Sequence, residues 1–298
     1  MRCARGANKS QVALELGISR ASLYYRAKIP EKDDTLRKQI EGVMFENPGY
    51  GYRRVAMALG INHKRAKRVM RKFGLKPARR AKAPRKPLDI GNAPVNHPDI
   101  LSKICPIIPD LVWASDFTFI SFKGAWHYLA TVLDVFSWVP LGFNVSRTHD
   151  AVFVKVAIQR AIKAAGTTPT WFHSDQGSEY NSDEVSYWLE RQGVSISMSP
   201  KSSPWRNGSQ ESFFGRFKVE FGDADRFETL AEFLEAIFIH IHYFTYKRIK
   251  NRLKMPPAAF RANWFSTHIH SFPQVMSLPP NPPRAAPSEQ NTRLLLFE

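Results

Sequence analysis

The chain has 298 residues, 43% of them hydrophobic, and a formal net charge of +17; this predicts a folded protein with an anionic partner and excludes a fibrous or wholly disordered chain. Residues 1–88 hold 23 Lys and Arg against 6 Asp and Glu, whereas residues 89–298 hold 20 of each sign. Cys3 and Cys105 lack the spacing of a zinc site or disulfide framework. No apolar run reaches the ~20 residues of a membrane span, and the basic start lacks a secretory signal. We therefore expect an intracellular protein that binds nucleic acid.

Residues 1–45 are predicted to hold a helix-turn-helix in the segment SQVALELGISRASLYYRAK. Ala13 suits a close helix crossing, Gly17 suits the turn, and Ser19 can cap the second helix. Any small helical hairpin would favour the same three residue types, so a plain hairpin is the alternative. Two outward-facing cations would suit a DNA groove: Arg20 and Arg26.

Residues 46–76 are predicted to form a second helical module of the same kind, with a turn at Gly60 and a cap at Asn62. Between Arg53 and Lys86 there are 14 basic residues and no acidic one. A solvated charged face normally mixes both signs, so phosphate contact is the favoured interpretation. The face in question carries Lys64, Arg65, Lys67, Arg68, Arg71 and Lys72.

A linker rich in proline and basic residues is predicted over residues 77–109, either lying along DNA or acting as a plain tether. The catalytic domain is predicted over 110–263: three strands joined by short turns, then alternating helices and strands that end in C-terminal helices. The fold class is therefore α/β, a mixed five-stranded sheet with flanking helices in the order of the ribonuclease H fold, preceded by small all-α modules. Residues 264–298 are predicted to be a proline-rich, disordered tail.

Three acids are placed so that this topology brings them together. Asp116 lies in the first strand, Asp175 follows the strand PTWFH, and Glu211 lies on the helix that begins near Asn207. Neighbouring carboxylates repel one another unless a cation neutralises them, and a hard ion such as Mg²⁺ prefers oxygen ligands. Taken singly, Asp175 also fits an ordinary turn residue and Glu211 a solvated helix residue; the joint pattern favours a two-metal site for phosphoryl transfer.

The motifs around these acids resemble those of the acidic-triad transposases and retroviral integrases. WASDFTFI, HSDQGSEY and NGSQESFFGRFKVE are similar to the three family motifs, and the 35 residues between Asp175 and Glu211 equal the family interval. Within that superfamily the chain resembles the second-frame product of the bacterial insertion-sequence-three family. The resemblance covers residues 9–262, although Trp138 and the segment Arg206–Gly208 depart from the usual pattern.

The resemblance implies that Asp116, Asp175 and Glu211 are the catalytic metal ligands, with two Mg²⁺ ions for which Mn²⁺ would substitute. Lys218 would contact DNA near the scissile phosphate, and Asn207 would contact the substrate or steady the acid. His173 has three possible roles: orienting Asp175, touching DNA or filling the edge of the core. Four phenylalanines of the same region are expected in the core: Phe213, Phe214, Phe217 and Phe221.

The function expected from these features is that of a DNA transposase that cuts and joins strands at the ends of its element. Expected partners are double-stranded DNA, further copies of the chain in a synaptic complex, and the first-frame product as partner or fusion, with no membrane. The expected location is the bacterial cytoplasm, at the nucleoid. Two alternatives are a transposase-derived DNA-binding regulator with an idle core and a ribonuclease H-like nuclease that does not join DNA.

Overall fold

The computed structural model describes residues 8–24, 29–79, 97–200 and 207–268. Arg26, most of the predicted linker and the segment after His268 lie outside the described residues. The chain divides into two compact units, Met1–Pro77 and Ala78–Glu298.

The first unit is helical. It contains α1 (Lys9–Glu15), a 3₁₀ segment (Arg20–Tyr24), α2 (Ile29–Glu46), α3 (Tyr52–Ala58) and α4 (His63–Lys72). The predicted turns lie at Gly17 and Gly60, whose φ angles of 63° and 62° suit glycine because it has no Cβ. Asn62 caps α4, since its side chain accepts a hydrogen bond from the Lys64 amide at 2.8 Å.

Helix α2, nearly all of which lies before the predicted module boundary at residues 45/46, packs with the helices that follow it. Its Leu36 and Ile40 are buried, and it packs against both α3 and α4. Apolar side chains of the later helices, such as Val55 and Val69, complete this small core. The second module is therefore a three-helix unit, because the α3–α4 hairpin alone offers too little apolar surface to bury.

The second unit is built on a five-stranded sheet. Its strands are β1 (Val112–Phe122), β2 (Ala125–Asp134), β3 (Pro140–Ser146), β4 (Trp171–Ser174) and β5 (Ser195–Met198). Their order is β3-β2-β1-β4-β5, with β1, β2 and β3 antiparallel and β4 and β5 parallel to β1. This confirms the predicted mixed sheet of the ribonuclease H-like fold.

Helices flank the sheet: α5 (Ala151–Ala165), α6 (Asp183–Arg191), α7 (Gly208–Phe221), α8 (Leu230–Tyr246) and α9 (Pro257–His268). Alternate residues of β2 belong to two different cores, because successive side chains of a strand point to opposite faces. Ala130 and Val132 pack with α5 and α6, whereas Leu129 and Leu133 pack with α7 and α8. Each face of the central strands is thus covered by helices.

The last helix overlaps the start of the predicted tail. Helix α9 continues to His268, so residues 264–268 are helical. The ring of Trp264 lies 6.1 Å from that of Phe136 and 4.5 Å from that of His268. These ring contacts stabilise the last turn of α9. The sequence did not reveal this turn because the segment that follows is rich in proline. Within the described ranges, no helix has the length and apolar character needed to cross a membrane.

Candidate active site

Two of the predicted catalytic acids lie at the same end of two neighbouring parallel strands. Ala114 of β1 pairs with His173 of β4. Asp116 lies two residues beyond Ala114 in β1, Asp175 follows the last residue of β4, and the charge of Asp175 acts on Asp116. The Asp116 carboxylate accepts a hydrogen bond from the Phe117 amide at 2.8 Å. The backbone of the sheet itself thus brings the two acids together.

The turn after β4 holds Asp175 in place. Its Oδ1 accepts a hydrogen bond from the Gly177 amide at 3.1 Å, and its carbonyl accepts one from the Ser174 hydroxyl at 2.9 Å. A methyl group added at Gly177 would lie 3.1 Å from this carboxylate oxygen and 2.9 Å from Oε2 of Glu179. Gly177 is needed here because two carboxylates occupy the space of a side chain.

The third acid is carried by α7, which a buried amide fastens to the sheet. Gln210 is completely buried, and its Nε2 donates to the carbonyls of Ala114 at 2.6 Å and Thr131 at 3.0 Å. Its Oε1 accepts from the Thr131 hydroxyl at 2.9 Å. The next residue, Glu211, has an exposed side chain. Gln210 therefore fixes the first turn of α7 against β1 and β2 and presents Glu211 at the rim of the acid pair.

The electrostatics show that the three acids share one region. Burial and the charges of Asp175 and Glu211 together raise the pKa of Asp116 to about 7, while the Phe117 amide and Lys218 oppose the shift. Burial also raises the pKa of Asp175, with a contribution from Glu179. Like charges in a partly dry site disfavour ionisation, so a cation bound here would favour the ionised carboxylates.

The oxygens of Asp116, Asp175 and Glu211 are the donors that could hold a hard divalent cation. Among the residues that the structure describes, no group of three or more His, Cys, Asp and Glu side chains stands ready as a metal site. The acids are close enough to repel one another but are not gathered round one point. Glu211, the exposed member, is the side chain with freedom to approach.

The sequence matches models of known domains over most of this second unit. Residues 108–204 match one model described as an integrase core domain, and residues 211–265 match another with the same description. The chain is 30% identical over 264 residues to the putative transposase InsK for insertion sequence element IS150 of Escherichia coli K12, covering 85% of this chain and 93% of that protein. It is 32% identical over 229 residues to the transposase for insertion sequence element IS904 of Lactococcus lactis, covering 74% of this chain and 90% of that protein.

The chain belongs to the transposase and integrase superfamily. The transposase relatives support an enzyme of the polynucleotidyl transferase type. Among solved structures, the HTLV-2 integrase catalytic core domain in complex with magnesium is 17% identical, with a TM-score of 0.40 over 52% of this chain and 98% of that one. This last likeness concerns the fold alone.

Two further predicted residues of this transposase-type core lie beside the acids. Lys218 is half-buried, its Nζ lies 4.6 Å from the centre of the Phe119 ring, and its charge reaches Asp116. Asn207, by contrast, is buried, and its amide donates to the Ser115 carbonyl at 3.0 Å. This position suits the predicted role of steadying the acid and does not suit DNA contact.

Sequence reasoning missed a group of side chains behind Asp175. Glu179 is buried, and its Oε1 lies 2.5 Å from Nδ1 of His149, whose ring stacks on Phe117 at 5.6 Å. Tyr180 is also buried, with its hydroxyl 2.9 Å from that of Ser115. The motif SDQGSEY contained the signal, because an acid and a tyrosine among small polar residues are unusual in a plain turn.

His173 and the phenylalanines of α7 belong to the core. His173 is fully buried, its Nδ1 lies 2.9 Å from the Ser197 hydroxyl, and burial lowers its pKa to about 4. DNA contact through His173 is therefore wrong. The four phenylalanines belong to the cluster beneath α7 and α8, which confirms the core prediction: Phe213, Phe214, Phe217 and Phe221.

Two cations on the basic face of α4 pair with an acid of another helix, which the sequence of α4 alone could not reveal. Asp33 of α2 is buried, and its carboxylate pairs with Arg68 at 2.5 Å and with Lys72 at 2.9 Å. These two cations hold the pKa of Asp33 well below its usual range. The face of α4 borders an open concavity of about 620 Å³, lined by Lys64, Lys67, Arg68, Arg71 and Lys72. Two of the six predicted DNA contacts therefore also have a structural role.

The predicted N-terminal helix-turn-helix is only partly formed in the described residues. Ala13 is buried as expected, and the Ser19 hydroxyl accepts from the Ser22 amide at 3.3 Å. The second element is a 3₁₀ segment that carries exposed Arg20, and Leu14 is 82% exposed. Recognition of a DNA groove by this segment stays a prediction.

Proposed function

We propose that the protein is the transposase of a bacterial insertion sequence that binds the ends of its element, nicks a strand to free a 3′-hydroxyl, and joins that hydroxyl to another phosphate. The observation that carries this proposal is the electrostatic coupling of Asp116, at the middle of β1, to both Asp175, just past the end of the neighbouring strand β4, and Glu211 of α7. The charge of Lys218 acts on the same carboxylate in the opposite sense. A divalent cation held by the three acids would neutralise their mutual repulsion.

The chemistry of the donors supports a divalent metal at this centre. Three carboxylates offer hard oxygen ligands, and burial with nearby negative charge raises the pKa of Asp116 and of Asp175, an effect that a bound cation would oppose. When bound, two Mg²⁺ ions, or Mn²⁺ in their place, would make the attacking oxygen more nucleophilic and stabilise the leaving oxygen in an in-line displacement at phosphorus.

The side chains of the protein would position the metal ligands and the DNA. Asp116 and Asp175 hold fixed positions because strand backbone and the Gly177 amide restrain them, and rigid supports favour a catalytic geometry. Glu211 completes the set from α7. Lys218 is half-buried and its charge acts on Asp116, so its ammonium group would orient a backbone phosphate of the DNA near these acids.

The first unit would supply most of the affinity for DNA. Its exposed cations Lys64, Arg65, Lys67 and Arg71 make no ion pair within the described ranges, which leaves them available for phosphates. We include in the proposal that copies of the chain assemble on the element ends in the bacterial nucleoid, with the first-frame product as partner or fusion.

The test is a strand-transfer assay with Mg²⁺ on duplexes that carry the ends of the element. Glu211→Gln should lower joining at least roughly 100-fold, the scale of losing one charge-stabilising group, without weakening DNA binding. Glu235→Gln is the matched control, since Glu235 is an exposed glutamate on another helix of the same unit. Equal joining by Glu211→Gln and wild type would overturn the triad. A wild-type protein that binds the ends but joins nothing would instead support the DNA-binding regulator.

A further inference from the structure

The β1–β2 hairpin carries an exposed pair of aromatic side chains beside the acid centre. Phe119 is 53% exposed and Trp126 is 55% exposed, and their rings meet edge to face with centres 5.2 Å apart. Single exposed hydrophobic residues are common, but two large rings in mutual contact expose apolar area that folding alone does not require.

A cation links this pair to the acids. The ammonium group of Lys218 lies 4.6 Å from the centre of the Phe119 ring, and the same charge acts on Asp116. Phe119 follows Asp116 by three residues on one strand, a distance of roughly 10 Å at about 3.3 Å per residue, with its side chain starting on the opposite face. That distance corresponds to about three base steps of 3.4 Å along a DNA strand. The long side chain of Lys218 connects the two, since it contacts the Phe119 ring and its charge acts on Asp116.

From this arrangement we infer that Phe119 and Trp126 form a stacking platform for an unpaired base of the DNA strand that is being cut, within about three nucleotides of the scissile phosphate. The inference rests on the proposed function. The combination of flat apolar rings with an adjacent cation complements a nucleotide, whose base stacks and whose phosphate is negative. An apolar protein partner would not use the charge of Lys218.

The platform has a defined chemical role. Opening the terminal base pairs gives the acid centre access to the phosphate but costs stacking energy within the duplex. A base received by Phe119 and Trp126 would recover part of that cost and would fix the strand relative to Asp116. Because the contact is with a ring face and no hydrogen bond to the base is needed, the platform would accept any of the four bases.

The test is a double-mutant cycle in which one change is made in the protein and the other in the DNA. The double variant Phe119→Ala/Trp126→Ala and the wild type are compared on intact element ends and on a series of ends, each with one abasic site within three nucleotides of the scissile phosphate. The variant should join intact DNA roughly 5- to 100-fold more slowly, the range for loss of one stacked base. At one abasic position the wild type should slow by a similar factor and the variant should lose nothing more. At the other positions the two losses should multiply.

Three controls separate the alternatives. Tyr187→Ala removes an aromatic side chain that is 64% exposed on α6, and it should match wild type. Phe119→Tyr should recover most of the rate lost by Phe119→Ala. Losses that multiply at every abasic position would overturn the platform, as would a change in oligomeric mass of the double variant with equal losses on all duplexes, which would indicate a contact between protein copies.

The same cycle measured as binding affinity by fluorescence anisotropy does not need joining. A protein that joins no DNA but shows the coupling in affinity would refute the proposed chemistry and keep the platform. A protein that joins DNA without coupling in either measurement would refute the platform alone.

Discussion

Two pairs of acids lie near the first strand of the catalytic unit, and they differ in the cation beside them. Asp110, just before β1, and Asp134, at the end of β2, are buried, and the guanidinium of Arg261 reaches them at 2.6 Å and 3.1 Å. At the other pair, the charge of Lys218 acts on Asp116, yet burial and the charge of Asp175 still raise the pKa of Asp116 to about 7.

We infer that the difference separates an acid pair that stabilises the fold from one that would hold a ligand. A buried charge is costly unless its counter-charge is present, so a structural pair must carry its own cation. Arg261 comes from α9 and ties that C-terminal helix to the sheet. An acid pair whose pKa values stay raised is kept at a cost to stability, as catalytic sites commonly are. The Asp33 pair of the first unit follows the structural pattern.

Removal of Arg261 should leave the buried carboxylates of Asp110 and Asp134 without their counter-charge. Arg261→Met should lower the free energy of unfolding by about 3–5 kcal/mol at neutral pH, because two buried carboxylates lose their cation. Burial already raises the pKa of Asp134. An acid with a raised pKa in the folded state makes stability fall as pH rises, so the deficit should be larger at pH 8 than at pH 5.

Urea unfolding at the two pH values measures this effect. Arg252→Met is the control, since Arg252 is exposed on the same C-terminal segment. If both variants unfold at the same urea concentration, the comparison between the acid pairs fails.

The position of Glu211 on α7 should depend on the buried hydrogen bonds of its neighbour Gln210. Gln210→Leu removes three hydrogen bonds in a buried position: those of its amide to the Ala114 and Thr131 carbonyls and that from the Thr131 hydroxyl. The Thr131 carbonyl keeps the Ser115 hydroxyl as a donor. We expect a loss of about 2–3 kcal/mol in stability and a fall in kcat larger than the change in DNA affinity, because Glu211 would be misplaced. Gln159→Leu, on the exposed face of α5, should change neither. An unchanged kcat in Gln210→Leu would show that Gln210 does not position Glu211.

The pair of Asp116 and Asp175 should destabilise the protein in the absence of metal. Asp116→Asn removes the carboxyl whose folded-state pKa of about 7 exceeds its unfolded value of 3.8. The wild type loses stability as pH rises between these values, so the variant should be more stable at pH 8 and equal near pH 4. A gain of about 1–3 kcal/mol would raise the Tm by several degrees.

Thermal unfolding in EDTA tests this, with Asp183→Asn as the control because Asp183 is exposed. Adding Mg²⁺ should then stabilise the wild type and leave Asp116→Asn unchanged. A variant that is less stable than wild type at pH 8 would contradict the account of Asp116.

The sequence was sufficient for the sheet, because strands depend on local patterns, and the assignment of the three acids, which rests on motif spacing, stays a prediction. Alternation in LVWASDFTFISF gave β1, and the motif spacing gave Asp175 and Glu211. The residues that it did not reveal act across long separations. Gln210 bonds to carbonyls 79 and 96 residues away, and Asp33 pairs with Arg68 35 residues away. No periodicity records such contacts, and a buried glutamine has the same letter as an exposed one.

The smallest effects are expected on α4, which carries cations with an acidic partner and cations without one. Arg71 has no acidic partner within the described residues, whereas Arg68 is bound to Asp33 at 2.5 Å and 2.8 Å. Arg71→Ala should lower DNA affinity a few-fold and reduce the slope of log affinity against log salt by about 0.9, one phosphate contact, with unchanged stability. Arg68→Ala should lower the stability of the first unit in urea, because Asp33 is buried and keeps only Lys72. If the two variants change salt slope and stability alike, the pairing with Asp33 makes no difference to DNA binding, and all six cations of α4 act as one surface.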